Sequence, residues 1–105
     1  MAARPAPLSI ALEKQRLDKW LWFARIVKTR HQAVELIAAG HVRVDGRRIE
    51  VPAKLVGPGA VLTIALERQV RVLRITGLAP RRGGADQAQM LFADLAAESS
   101  KPAAI

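Results

Sequence analysis

Leu17, Trp20, Leu21 and Ala24 recur at the i, i+3, i+4, i+7 spacing of one helical face. This spacing predicts a first helix, with Asp18 near its positive end as a cap or as a charge that complements the dipole. Thr29 and Gln32 form a capping-box pattern. Ala33, Leu36 and Ile37 then supply an inward face until Gly40 ends a second helix. From His41 to Val51 the period falls to two. Val42 and Val44 point one way and Arg43 the other, and Asp45-Gly46 offers the two-residue type I′ turn of a hairpin.

Pro52 interrupts the returning strand, and Pro58-Gly59 marks another turn. Val61 to Leu66 and Val70 to Thr76 are rich in β-branched and aliphatic residues and predict two further strands. After the basic loop Pro80-Arg81-Arg82-Gly83-Gly84, Asp86 is placed to cap a last helix with Ala88, Leu91, Phe92 and Leu95 inward. The order predicts an α+β fold in which two N-terminal helices pack on a small, mainly antiparallel sheet, with a short C-terminal helix. Residues 1–9 and 98–105, rich in Ala and Pro, are expected to be flexible tails. Residues 10–79 form the main domain with its sheet extension, and 80–97 the basic loop and final helix.

A chain of 105 residues with 50% hydrophobic content supports one core rather than two. No apolar run reaches the roughly 20 residues that a membrane span needs. The N-terminus lacks the continuous apolar stretch of a secretion signal, so a cytoplasmic location is expected. The absence of cysteine removes disulfides and thiolate metal sites. His31 and His41 sit at opposite ends of the second helix with no supporting carboxylate cluster, so neither a metal nor a cofactor is expected. Catalytic motifs and suitably spaced carboxylate pairs are also missing, and the chain is expected not to be an enzyme.

Charge changes the picture most. Lys and Arg number 17 against 9 acidic residues, a formal charge of +8, and the isoelectric point is near 11.4. Such a balance favours a polyanionic partner, nucleic acid above all, over a membrane or a small molecule. Between Lys14 and Lys54 ten basic residues face four acidic ones. Lys28, Thr29 and Arg30 open the second helix, where free backbone N–H groups and the dipole already favour an anion. Arg43, Arg47 and Arg48 bracket the hairpin turn, and guanidinium groups can grip phosphate bidentately. Arg16, Lys19 and Arg25 lie along or beside the first helix and extend the candidate face. Ordinary solvated surface charge is the competing explanation for all of them. Trp20 shares the buried stripe. Trp22 projects about 160° away from it, a candidate for stacking on a base or ribose, with packing against the C-terminal helix as the alternative.

RLDKWL followed by KTRHQAVELIAAGHVRVDGRRI resembles the RNA-binding fold named after ribosomal small-subunit protein S-four, with its alpha-L helix pair. The wording from Trp20 to Arg30, with Arg81 and Arg82 after the sheet, is similar to the ribosome-associated, fifteen-kilodalton heat-shock branch of that family. The resemblance implies an RNA-binding protein that recognises rRNA, with tRNA as a further candidate, on a large ribosomal subunit carrying a nascent chain, and that helps rescue or recycle it. It also implies that RNA lies across the start of the second helix and the hairpin, at Lys28, Thr29, Arg30, Arg43 and Arg47. Familiar members continue in a longer basic helix where this chain reads AAESSKPAAI. A monomer is expected. The other readings are a general structured-RNA or DNA-binding module, and an accessory RNA-binding subunit of a modifying enzyme.

Overall fold

The computed structural model describes residues 14–95, so the expected tails at 1–9 and 98–105 fall outside the described residues. The chain runs β1 (Gln15–Arg16), α1 (Leu17–Phe23), α2 (Arg30–Ala38), β2 (Val42–Val44), β3 (Arg47–Ile49), β4 (Leu55–Val56), β5 (Val61–Ala65), β6 (Val70–Ile75), α3 (Ala85–Gln89) and β7 (Phe92–Asp94). Five strands form one antiparallel sheet in the order β3-β2-β5-β6-β7, and β1 pairs separately with β4. The expected α+β arrangement of two helices on a mainly antiparallel sheet, with a short helix near the end, is what forms.

Period-two alternation sets the layers. Val42 and Val44 of β2, Leu62 and Ile64 of β5, and Leu73 and Ile75 of β6 are buried on one face. Leu17, Trp20, Leu21, Ala33 and Ile37 from the helices complete the same cluster. Each large side chain buried there stabilises the fold by about 1.5–3 kcal/mol relative to exposure. Trp20 is the largest of them; its ring meets Phe92 edge-on at 6.2 Å, and its indole N–H donates to the Gly77 carbonyl at 3.0 Å.

Both helices end in the same way. The Ile26 N–H bonds back to Leu21 O and Arg25 N–H to Trp22 O; His41 N–H bonds to Leu36 O and Gly40 N–H to Ile37 O. These are the paired bonds of a Schellman stop, which places the residue after the C-cap in the left-handed region. Gly40 meets that demand at φ 85° without strain, whereas Arg25 adopts φ 60° with a full side chain. At the hairpin, positive φ at both Asp45 and Gly46 forms the expected type I′ turn.

Three local expectations are resolved or corrected. Asp18 does not cap α1, whose N-cap is Arg16 without a side-chain cap bond; it takes the other expected place, an acid in the first turn, with its side chain buried. Asp86 lies within the first turn of α3, whose N-cap is Gly84. The last helix stops at Gln89, and Phe92 to Asp94 form a strand against Leu73 to Ile75, because hydrogen bonding to the free edge of β6 wins over helix extension.

Candidate nucleic-acid interface

Thr29 caps α2 with a complete capping box: its hydroxyl accepts from Gln32 N–H at 3.0 Å, and the Gln32 side-chain oxygen accepts from Thr29 N–H at 3.2 Å and Lys28 N–H at 3.0 Å. The box thus takes up the backbone donors of Lys28, Thr29 and Gln32. Lys28 and Thr29 are exposed, and Arg30 projects from the first residue of the helix.

Beside them lies an ion-pair network centred on Asp18. Arg16 donates through Nε to Asp18 Oδ1 at 3.1 Å and through Nη2 to Oδ2 at 2.9 Å. Lys19 N–H donates to Oδ1 at 2.7 Å, and Arg30 Nη2 reaches Oδ2 at 3.5 Å. Burial alone pushes the Asp18 carboxyl upward. The hydrogen bond from Arg16, the Lys19 N–H and the charges of Arg30 and Arg16 outweigh it and hold the group below its ordinary value.

The hairpin cations divide between two sides. Arg43 stands directly opposite Arg48, and both lie on the face of the sheet turned away from the helices. That face continues through Thr63 and Val72, with exposed Arg74 two residues along from Val72. Arg47 is opposite Val44 and so belongs to the helix-side face, exposed at its margin. Arg48 bends across Gly40, where an added Cβ would meet its Cδ at 3.2 Å, and sits 3.7 Å from Glu50. The three arginines lie within six residues of sequence but divide between the two faces of the sheet.

Two candidates are engaged elsewhere. Arg25 donates through Nε and Nη2 to the Gly83 carbonyl at 3.1 and 3.0 Å. Arg82 donates to the Trp22 carbonyl at 3.1 Å and places its guanidinium 5.6 Å from the centre of the Trp22 ring. Trp22 is half-buried, beneath Arg82 of the basic loop and beside Phe23. Lys19 is half-buried on α1. Arg74, an exposed strand cation outside the helix-start and hairpin residues, joins the outer face through the register of β6 on β5.

His31 pairs with Glu35 one turn along α2 at 3.1 Å. Among the described residues no group of His, Cys, Asp or Glu converges as metal ligands do, and no helix is long and apolar enough to cross a membrane.

Comparison with known proteins places this geometry. Residues 15–62 match the S4 domain family, a span that runs from β1 through the hairpin into β5. The heat shock protein 15 homolog of Haemophilus influenzae is 39% identical over 83 residues, which cover 79% of this chain and 63% of that protein. The small ribosomal subunit protein uS4 of Staphylococcus haemolyticus is 41% identical over 54 residues, 51% of this chain and 27% of that one. The chain thus spans less than two thirds of the length of these curated relatives. The Vibrio cholerae heat shock protein 15, described as a trimeric structure, superposes with a TM-score of 0.77 at 37% identity and covers 85% of this chain and 89% of its own. Shared fold, shared segment and this level of identity together mean that the chain belongs to the heat shock protein 15 family of S4-domain proteins.

Proposed function

We propose that this chain is a ribosome-associated RNA-binding protein. It binds structured rRNA or tRNA on the large ribosomal subunit and acts in rescue or recycling of subunits that carry nascent-chain tRNA. The observation that carries the reading is the outward display of its cations. Arg16, Lys28, Arg43, Arg47 and Arg48 are exposed, and Arg30 and Lys19 half-exposed, around a core that is otherwise apolar. An anionic backbone meets such a surface through phosphates, which position without specifying sequence. Structured RNA read by shape suits a chain with few free aromatic side chains.

Binding then displaces counterions. If five or six phosphates are neutralised, affinity falls by about two to three orders of magnitude between roughly 50 and 200 mM salt. Sedimentation through a sucrose gradient is the decisive experiment: the chain should travel with free large subunits, and migration with small subunits alone would overturn the assignment. Stronger binding to duplex DNA than to ribosomal RNA of equal length would replace it with a general nucleic-acid role. A monomer in the cytoplasm goes with the proposed reading, whereas the Vibrio relative is described as trimeric. Light scattering with and without RNA distinguishes the two states.

A further inference from the structure

Asp18 presents a contradiction for an RNA-binding face. A carboxylate repels phosphate, yet this one lies among the cations at the start of α2. Its side chain is fully buried, while those of its partners Arg16 and Arg30 keep 44% and 38% of their surface exposed. The anion is withdrawn and the cations are shown. No other polar or charged residue among those described is buried in this way.

The geometry also restricts how the two guanidinium groups stand. Asp18 Oδ2 takes Nη2 of Arg16 at 2.9 Å and Nη2 of Arg30 at 3.5 Å. Two nitrogens on one oxygen at these distances lie at most about 6 Å apart, close enough for both to reach the oxygens of one phosphate group. Arg16 is engaged through its Nε and Nη2 edge, which leaves Nη1 directed away from the carboxylate. Arg30 is engaged through Nη2 alone. Two positive charges against one negative leave the group with one net cation.

We propose that Asp18 is a positioning residue which holds Arg16 and Arg30 as a paired clamp for a single RNA phosphate. This rests on the RNA-binding reading above and deepens it. The carboxylate never touches the RNA; it fixes the guanidinium planes before binding, so less side-chain freedom is lost when the phosphate arrives. The competing role is a plain staple that ties the start of α1 to α2.

Charge and positioning predict opposite signs, and this makes the test sharp. Asp18→Asn removes a negative charge from the face, so by charge alone an RNA hairpin should bind more tightly. If Asp18 positions the arginines, affinity should instead fall by about tenfold, since each charge-assisted contact depends on geometry. Unchanged or tighter binding by the folded variant overturns the proposal. The same substitution is then made in an Arg16→Gln, Arg30→Gln background. Less than about a twofold further loss is expected there, because the groups it would position are gone. An equal loss in both backgrounds identifies the staple and overturns the clamp.

Should Asp18→Asn fail to fold, the wild-type chain still decides. The side-chain NMR signals of Arg16 and Arg30, assigned through single Arg→Lys variants, should shift together with one midpoint as the RNA hairpin is added. Shifts with separate midpoints, or from only one of the pair, overturn the clamp. A wild-type chain that binds no RNA overturns the RNA-binding reading, and this inference with it.

Discussion

Arg43 and Arg48 stand directly across from each other on β2 and β3, two like charges in register on the open face of the sheet. Such pairing destabilises a sheet, and the exposed contact from Arg48 to Glu50 at 3.7 Å offsets little of it. Arg48→Glu should therefore raise stability by about 0.2–1 kcal/mol, by placing opposite charges across the ladder. The same variant should weaken RNA binding, as should Arg43→Ala, and neither should unfold the chain. Denaturant titration and RNA titration on one preparation would check both halves. Loss of stability in Arg48→Glu would count against the like-charge argument.

Trp20 is the opposite case, wholly structural. It is fully buried, packs edge-on against Phe92 and bonds to Gly77 O, which ties α1 to the segment after β6. Trp20→Ala should cost about 3–5 kcal/mol, much of the stability of a small domain. Circular dichroism during thermal unfolding would reveal the loss. A change below 1 kcal/mol would mean that the core closes around the gap.

Acid should act through Asp18. Its carboxyl is held below the ordinary value of 3.8 in the folded chain, so the unfolded chain takes up a proton first as pH falls. The resulting stability is fully present above about pH 5 and is lost as pH drops through 3.8 and below toward the folded value. Asp18→Asn should flatten this part of the profile. Chemical denaturation at several pH values between about 2 and 6 would test it, and an identical slope in the variant would remove Asp18 as the cause.

Trp22 reports on the basic loop. Arg82 covers one face of its ring and bonds to its carbonyl. Arg82→Ala should shift the emission of Trp22 to the red and raise its quenching by acrylamide, at a stability cost of about 0.5–1 kcal/mol for the cation–ring contact. Trp20, buried in the core, should contribute an unchanged blue component. An emission spectrum indistinguishable from wild type would show the ring to be uncovered in solution.

The two main helices, the hairpin turn and the long strands were legible because each carries a period or a cap in consecutive residues. Thr29 with Gln32, and Asp45 with Gly46, do in the structure what their spacing predicts. Two-residue strands have no such signature. Nothing in Gln15 and Arg16 announces pairing with Leu55 and Val56, which depends on the Leu17 N–H reaching Lys54 O across the fold. Phe92 read as helical because its spacing from Ala88 fits a helix, while the edge of β6 was invisible. The candidate interface was legible as charge but not as shape. Period two placed Arg43 on the outer face, yet Arg47 and Arg48 separated only once the turn fixed their register. Asp18 read as an ordinary acidic residue at a helix start, since burial is a property of the assembled core.

Where α1 ends, it and the loop at 80–84 exchange arginines: Arg25 reaches out to Gly83 O, and Arg82 reaches back to Trp22 O. Guanidinium donates to a neutral backbone carbonyl in both directions, so no carboxylate takes part in these bonds. The seam should persist in acid that has already discharged the carboxylates. Its weakness is chemical mimicry. Guanidinium chloride offers the same donor in solution at molar concentration, so the loop should release from α1 before the core melts in that denaturant, with a smaller separation in urea.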